Sequence, residues 1–560
     1  MTAPDAAVTR IVGALVEVRP SDAALYEVAF VGERRLIAEV VRRTRDTATL
    51  QVYEDTTGLR VGERVAFTGG TLDARLGPGL LGSILDGIGR PLERIAAGAA
   101  DGGDFIRPGT VADMLDSAVR WAFTASARPG DAVQPGERLG VVREGVRDHP
   151  ILVPPGVGGR IARLDSGEFT VADVVGTLED GTPLRLAHRW PIRLPRPVGE
   201  RLAGDRPFVT GQRVFDLFYP VAEGGSAAVP GGFGTGKTII EQSLAKHSEA
   251  DVVVYVGCGE RGNEMTDLLN EFPALVDPRT GRSLMERSVL IVNTSNMPVA
   301  AREASIYLGV TIAEYFRDHG QRVALMVDST SRWAESLREM SARLQEMPGE
   351  EGYPTYLASR LAQFFERAGR VRVLGSLGEG SVSIVAAISP AGGDFSEPVT
   401  QASLRVSGAL WALDPALAHQ RHFPAVDWET SYSLYAEQVS AWFTQNGGSE
   451  WSGVRRDLMR LLQRERELRD IAGLVGPDAL EDADRLAMDW AALVREVVLR
   501  QNAYDPGDER ATPRGTYALA ARAVALYASL SAALHGGTPY GALDVEASRR
   551  ELAAVKARSS

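Results

Sequence analysis

Residues 231–238 read GGFGTGKT, and this octapeptide decides how the central part of the chain folds. Its Gly231, Gly236, Lys237 and Thr238 match the phosphate-loop pattern G-x-x-x-x-G-K-[ST]. In such a loop, glycines expose a row of backbone N–H groups to phosphate oxygens, and the following helix adds its positive end. An apolar run precedes the octapeptide and a helix candidate follows it, which is the strand–loop–helix context that the motif requires.

Every position of this loop is a candidate nucleotide contact. Lys237 is predicted to reach the β and γ phosphates, and the Thr238 hydroxyl to ligate Mg²⁺. The alternative is a chance match in a chain with 59 glycines, but the chain has only three lysines, which makes that coincidence rare. The predicted phosphate-loop contacts are Gly231, Gly232, Phe233, Gly234, Thr235, Gly236, Lys237 and Thr238.

Two later segments supply candidate carboxylates. The apolar run VALMVD ends at Asp328, where phosphate-loop enzymes hold the Mg²⁺ shell, although strands also end in Asp for turn reasons. The run VVVYV is followed by GCGERG, which delivers Glu260 and Arg261 to the end of a predicted strand. Glu260 is predicted to orient the attacking water and Arg261 to steady phosphate charge. A surface salt bridge is the alternative for this pair.

Outward from the loop, the hydrophobic pattern changes along the chain. Alternating apolar residues over 10–70 predict a small all-β barrel, and 115–190 a second β-rich module, for which a disordered insert is the alternative. The central region alternates strands (252–256, 289–292, 323–327, 382–388) with helices (300–318, 331–346), which predicts an α/β domain with a largely parallel sheet. Beyond 435 the pattern is helical, and one predicted helix face carries Trp490, Leu493, Val494, Val497 and Val498.

These patterns predict a multidomain chain of five segments. They are an N-terminal β-barrel (1–74), the first part of a nucleotide-binding domain (75–114), the β-rich insertion (115–190), the phosphate-loop α/β domain (191–434) and a C-terminal α-helical domain (435–560).

Composition excludes several other classes. No stretch approaches 18 consecutive apolar residues, so no membrane span is expected, and the N-terminus lacks the features of a secretory signal. The single cysteine, Cys258, excludes an internal disulfide framework and is expected to be a small buried spacer. The net charge of −12 argues against a chain that coats nucleic acid.

Long motifs resemble those of the catalytic A subunit of V-type and archaeal-type rotary ATPases. They include the octapeptide itself, YVGCGERGNEM (255–265) and LMVDSTSRWAESLREMSARL (325–344). They continue with GEEGYPTYLASRLAQFFERAGRV (349–371), ISPAGGDFSEPVTQASLRV (388–406), HFPAVDWETSYSLY (422–435) and QNAYDP (501–506). The resemblance covers nearly the whole chain.

The resemblance implies a RecA-like ATPase that binds ATP or ADP with Mg²⁺. It makes Glu260 the water-activating residue, assigns phosphate and metal binding to Lys237, Thr238 and Asp328, and places Phe423 and Tyr504 beside adenine, where the alternative is two core aromatics. It also implies an alternating hexamer with a non-catalytic B subunit, together with a central rotor shaft and a peripheral stalk. That complex would couple ATP hydrolysis or synthesis to H⁺ or Na⁺ transport on the cytoplasmic face of a membrane.

Two departures and several rival interpretations accompany the resemblance. Gly232 stands where the family usually has Pro or Ala, and Thr235 where eukaryotic members carry a cysteine.

A non-catalytic ring subunit would lack the intact loop and Glu260, while an F-type β subunit or a secretion-type ATPase would lack the insertion. A hexameric nucleic-acid translocase would show a basic, aromatic stripe in its barrel, and residues 10–70 are not markedly basic.

Overall fold

A computed structural model describes residues 6–19, 22–98, 106–145, 147–476 and 480–559 of the chain. The chain forms two compact units. The first comprises Met1–Leu202 with Ala250–Ala386, and the second comprises Ala203–Glu249 with Ala387–Ser560. The candidate carboxylates therefore belong to the first unit and the phosphate loop to the second.

The N-terminal part of the first unit is a closed barrel of six antiparallel strands, as the alternating pattern predicts. Around the barrel the strands follow the order first, second, fifth, fourth, third, sixth. Their inward side chains form a buried core of Val, Leu and Ala, because alternate residues of a strand face one side. The strands are Ala6–Val12, Leu15–Arg19, Glu27–Val31, Leu36–Arg43, Ala48–Val52 and Arg64–Thr71.

The region predicted as a β-rich insertion forms two four-stranded antiparallel sheets. The two sheets share one buried apolar core. A two-stranded ribbon of Asp73–Leu76 and His188–Pro191 brings the beginning and the end of this region together. The strands of the two sheets are Trp121–Ala125, Ala132–Val133, Arg138–Glu144, Arg147–Leu152, Gly159–Leu164, Gly167–Phe169, Val174–Leu178 and Pro183–Arg185.

A parallel sheet lies at the centre of the first unit. Its five parallel strands, from one side to the other, are Glu379–Ile388, Arg322–Asp328, Val252–Glu260, Ser288–Thr294 and Ile84–Asp86. The four strands predicted from apolar runs are all present. Gly369–Arg372 adds an antiparallel strand at Glu379–Ile388 and pairs in turn with Glu200–Arg201.

Helices accompany this sheet. The helix Val299–Asp318 is buried from Ala300 to Arg317, which confirms the predicted helix 300–318. The helix predicted over 331–346 spans Thr330–Arg343, and the chain leaves helical conformation at Gln345, whose φ is 56°. The other α-helices of this unit are Leu92–Gly98, Gly262–Glu271 and Leu357–Phe365, and short 3₁₀ turns span Phe272–Ala274, Leu284–Arg287 and Glu350–Gly352.

The second unit is built from a few strands and many helices. Ser226–Pro230 runs parallel to Ala409–Leu410, which pairs antiparallel with Tyr432–Ser433. The predominance of helix after residue 435 confirms the predicted C-terminal helical domain. The α-helices are Arg213–Phe218, Lys237–His247, Pro398–Val406, Pro415–His419, Ser440–Asn446, Trp451–Val475, Asp482–Leu493, Pro513–His535 and Val545–Ser559, with 3₁₀ turns at Ala391–Gly393 and Tyr540–Ala542.

The winding of one predicted helix face differs from the expectation. Trp490, Leu493, Val494, Val497 and Val498 are all buried, as their spacing predicts. However, Val494–Leu499 is wound as a π-helix that continues directly from Asp482–Leu493. Wider turns of this kind are rare and concentrate at functional sites.

The helix Pro513–His535 differs from the expectation that no segment suits a membrane. By length and composition it could cross one, with a mean hydropathy of 1.4 over its most apolar window, 17% of which is buried. Runs of consecutive apolar residues do not reveal it, because Arg522 and small polar residues interrupt the sequence. Length and composition alone are weak evidence for a span.

A partly buried arginine, Arg193, ties the barrel to the long helix of the same unit. Arg193 Nη2 lies 2.7 Å from Glu39 Oε2 in the barrel and 2.7 Å from Glu303 Oε2 in Val299–Asp318. The hydroxyl of Tyr53 also donates to Glu39 Oε2 at 3.0 Å. The two carboxylates are 2% and 4% exposed, so each depends on this guanidinium for counter-charge.

We expect Arg193→Met to lower the free energy of unfolding by about 3–5 kcal/mol, because it leaves two buried carboxylates without their cation. Urea denaturation followed by circular dichroism measures the loss. Arg43→Met, at an exposed position of the barrel strand Leu36–Arg43, is the matched control. Equal losses in the two variants would contradict the assigned role of Arg193.

Candidate functional site

The phosphate loop lies between a buried strand and a helix. All five residues of Ser226–Pro230 are buried, and the helix begins at Lys237. Gly234 and Gly236 have φ values of 75° and 89°, which side chains with a Cβ rarely adopt. The loop can therefore turn its backbone N–H groups toward an anion at the start of the helix.

The loop folds around its own lysine. Lys237 Nζ donates to the carbonyl oxygen of Gly231 at 2.7 Å and to that of Gly232 at 3.0 Å. The Thr235 hydroxyl donates to the same Gly232 carbonyl at 2.8 Å. The ammonium is thus held inside the loop by carbonyl oxygens.

The first two glycines of the loop differ in the space around them. A Cβ on Gly231 would lie 2.6 Å from Thr235 Oγ1 and 2.9 Å from Leu413 Cβ, whereas a Cβ on Gly232 would meet no atom of the described residues within 4 Å. The Phe233 side chain is 80% exposed. Gly231 is therefore required by packing, while position 232 tolerates a larger residue, which fits the Pro or Ala that is usual in the resembling family.

A large cavity of about 1110 Å³ opens beside the loop within the second unit. Gly234, Thr235 and Gly236 line one part of it, and Phe423 and Tyr504 line another. The backbone N–H of Gln501 donates to the Phe423 carbonyl at 2.7 Å, which joins the two aromatic segments. The structure thus places both predicted aromatics and the loop around one space, with Tyr504 84% exposed.

In the first unit, the two candidate carboxylates lie at the ends of neighbouring parallel strands. Glu260 ends Val252–Glu260 and Asp328 ends Arg322–Asp328, with Asp328 in register with Gly257. The residues are 8% and 4% exposed. The carboxyl ends of parallel strands are where open α/β sheets place their ligands.

Burial and, next in size, the negative charge of Asp328 raise the pKa of Glu260 to about 7, while the neighbouring Ser329 side chain acts in the opposite direction. Within the described part of the chain, Oε1 of Glu260 has no hydrogen-bond partner. A buried carboxylate oxygen without a donor is costly to the fold, which makes Glu260 a candidate functional residue.

Two neighbours of Glu260 escaped the sequence analysis. The neighbouring Ser329 side chain and the positive charge of Arg332 both favour its ionised form. Both lie within four residues of Asp328 at the start of the helix Thr330–Arg343, and this closeness to a strand-end acid is the signal that could have found them. Arg332 is also bonded to Glu335 at 3.0 Å.

Arg261 and Cys258 flank Glu260 in sequence but differ in exposure. Arg261 immediately precedes the helix Gly262–Glu271, with its side chain 56% exposed and its Nε 4.0 Å from Glu264 Oε1. Cys258 is buried, and burial raises the pKa of its thiol to about 12. The thiol is therefore protonated and packed, as expected for a small spacer.

A phosphate loop after a buried strand, in a chain with an N-terminal barrel and a helical C-terminal region, defines the class of phosphate-loop nucleoside triphosphatases. Family models agree with this assignment along the chain. The ATP synthase alpha/beta family matches with its beta-barrel domain at 8–69, its barrel-sandwich domain at 112–193 and its nucleotide-binding domain at 211–433, and the C-terminal domain of V and A type ATP synthase matches at 440–536.

Related proteins identify the family within this class of phosphate-loop enzymes. The V-type ATP synthase alpha chain of Anaeromyxobacter dehalogenans (strain 2CP-C) is 57% identical over 518 residues, which is 92% of this chain and 89% of the relative. An A-type ATP synthase A subunit of Methanospirillum hungatei JF-1 is 51% identical over 551 residues, 98% of this chain and 94% of the relative. The chain therefore belongs to the catalytic alpha (A) subunit family of V-type and A-type ATP synthases, which are ion-translocating ATPases.

A solved structure agrees with the fold. The ATPase EscN of the enteropathogenic E. coli type III secretion system aligns with a TM-score of 0.66 at 21% identity, over 93% of this chain and 100% of EscN. This likeness concerns the fold alone. Family membership decides against the rival interpretations raised by the sequence, because the alpha-chain relatives match along most of their own length.

We expect Gly231→Ala to weaken ADP binding by about tenfold or more, since its methyl group would collide with Thr235 and distort the loop. Gly232→Ala is the matched control and should bind ADP as the parent chain does, because its methyl group meets open space. Isothermal titration with ADP measures both. Equal affinities for the two variants would show that the loop tolerates the Gly231 collision.

Proposed function

We propose that this chain hydrolyses or forms ATP with the phosphate groups held in the loop 231–238. Membership of the family makes it an ATP- and ADP-binding subunit of a multisubunit, membrane-associated complex. The specific roles of its residues are our proposal. Lys237 neutralises charge on the β and γ phosphates, while the backbone of Gly231–Gly236 binds phosphate oxygens through N–H groups.

The residues present suit Mg²⁺ as the accompanying ion. Thr238 and Asp328 offer a hydroxyl and a carboxylate, the hard oxygen ligands that Mg²⁺ prefers. In the described ranges no cluster of three or more His, Cys, Asp or Glu side chains could hold a metal. Mg²⁺ commonly takes only one or two carboxylates and completes its shell with water and nucleotide phosphates, so the donor set fits. The ion would neutralise phosphate charge when bound.

Glu260 is the proposed proton acceptor. The supporting observation is its buried carboxylate at a strand end, with one oxygen that the described residues leave without a donor. In hydrolysis, a water oxygen attacks the γ phosphorus, the bond to the β–γ bridging oxygen breaks, and the water's proton passes to Glu260. A pKa near neutrality suits a group that must accept and then release a proton.

Arg261 and the two aromatics complete the proposed contacts. Arg261 follows Glu260 directly, and its exposed guanidinium can turn toward phosphate charge. Phe423 and Tyr504 are proposed to flank adenine, because flat aromatic faces suit a purine ring and both side chains line the same cavity as the loop.

The assembly is proposed from family membership. Three copies would alternate with three non-catalytic B subunits around a central rotor shaft, with peripheral stalk subunits outside and the ring on the cytoplasmic face of the membrane. The insertion 115–190 would serve assembly, since its sheets carry none of the proposed phosphate or metal ligands. The complex would couple ATP turnover to H⁺ or Na⁺ movement.

We expect Glu260→Gln to lower ATP hydrolysis by about two orders of magnitude or more, because the amide cannot accept the proton. Nucleotide affinity should stay near that of the parent chain, since the substitution leaves the phosphate loop intact. Steady-state turnover of the reconstituted complex and ADP titration of the chain give the two values. Loss of binding together with turnover would make Glu260 a binding residue instead.

We also expect the isolated chain to bind ATP but hydrolyse it slowly. Phosphoryl transfer gains about three to five orders of magnitude from an arginine that reaches the γ phosphate, and we propose that the neighbouring B subunit supplies it. Turnover of the purified chain is compared with turnover after addition of its ring partner. Full-rate hydrolysis by the chain alone would mean that the arginine is its own.

A further inference from the structure

The C-terminal helix Val545–Ser559 lines the same cavity as the phosphate loop. Its Arg549, Ala553, Lys556 and Ala557 face that space. Positions 549, 553 and 556 are spaced by four and three residues, so they share one face of the helix. These residues line the cavity together with Phe423 and Tyr504, and no step of hydrolysis described above uses them.

Lys556 is fixed by two acceptors on one neighbouring segment. Its Nζ lies 2.9 Å from Asp508 Oδ2 and donates to the carbonyl oxygen of Arg500 at 2.8 Å. The side chain is 19% exposed, and burial lowers the pKa of Lys556, with the positive charge of Arg213 acting in the same direction. The ammonium is thus held in a partly desolvated position by charge-assisted bonds.

Arg213 binds the same two acceptors from the other side. Its Nη2 lies 2.6 Å from Asp508 Oδ1 and donates to the Arg500 carbonyl at 2.8 Å. Two cations therefore share one carboxylate and one carbonyl oxygen. This arrangement closes residues 500–508, which we call the base loop, at both of its ends.

The base loop carries Tyr504 at its tip. Within it, the Asn502 N–H donates to Asp508 Oδ2 at 2.9 Å and Gln501 Nε2 donates to the Asp508 carbonyl at 3.1 Å. Just beyond it, Lys246 at the end of the phosphate-loop helix lies 2.6 Å from Glu509 Oε2. These bonds hold the two ends of the loop together, while Tyr504 itself is largely exposed.

We propose that Lys556 is a positioning residue that holds the base loop closed, and that the C-terminal helix thereby sets the affinity of the site for the nucleotide base. This inference rests on the proposed adenine contacts of Phe423 and Tyr504. Lys556 binds both ends of the segment that carries Tyr504, so it acts on the base end of the ligand. Loss of its ammonium removes one of the two cations that join the ends of the loop and so costs base contacts, while the phosphate loop keeps its own bonds.

The test compares two ligands on the full-length chain. Lys556→Ala is expected to weaken ADP binding roughly tenfold, the scale of one lost charge-assisted hydrogen bond, and to leave pyrophosphate binding unchanged. Lys556→Arg should recover most of the ADP affinity. Arg558→Ala, on the same helix at an exposed position outside the cavity, is the matched control and should bind both ligands as the parent chain does.

Ala553→Trp is a second variant that leaves the ion cluster intact and adds bulk to the cavity wall, so it too should weaken ADP but not pyrophosphate. In the reconstituted complex, Lys556→Ala should raise KM for ATP with kcat nearly unchanged. Equal effects of Lys556→Ala and Arg558→Ala, or equal weakening of ADP and pyrophosphate, would overturn the inference. Failure of the parent chain to bind either ligand would instead refute the proposed function.

Discussion

The bonds from the Lys237 ammonium to the carbonyl oxygens of its own loop are the interaction on which the nucleotide site depends. They hold the lysine cation inside the turn of the loop. Thr235 and Leu413 leave no room for a Cβ at position 231, so glycine there keeps the loop in this geometry. The loop, the buried strand before it and the helix after it therefore fix the position of the Lys237 ammonium together. A change in any one of them would shift that ammonium.

The Glu260 carboxylate at the end of its strand is less completely paired than the Lys237 ammonium. Glu260 and Asp328 lie at the ends of a sheet whose strands are buried throughout, and burial destabilises ionised groups. The fold meets part of that cost with Ser329 and Arg332 and leaves one oxygen of Glu260 without a donor among the described residues. Arg193, by contrast, joins two fully paired acids in a purely structural cluster. This difference in pairing distinguishes the proposed functional carboxylate, Glu260, from the two acids paired with Arg193.

Local patterns sufficed for much of the fold. Alternation predicted the barrel, apolar runs predicted the strands of the parallel sheet, and fixed spacing predicted the phosphate loop. The residue roles and the five domain boundaries stay predictions. Sequence could not reveal the contacts of Lys556 with Asp508 and Arg500, since they join positions about fifty residues apart. Nor could it reveal the π-helix at Val494–Leu499, because the same spacing of apolar residues fits either winding.

The scarcity of lysine has a practical consequence for chemical labelling. Lys237, Lys246 and Lys556 are the only lysine side chains. Lys237 begins the phosphate-loop helix, Lys246 binds Glu509 just beyond the base loop, and Lys556 binds the two ends of that loop. An amine-reactive tag therefore meets three lysine side chains, all of them in the phosphate-loop helix or bonded to the base loop and its neighbour Glu509. Mass spectrometry of three peptides then reads nucleotide occupancy directly, without an engineered probe and without the background that a lysine-rich chain would give.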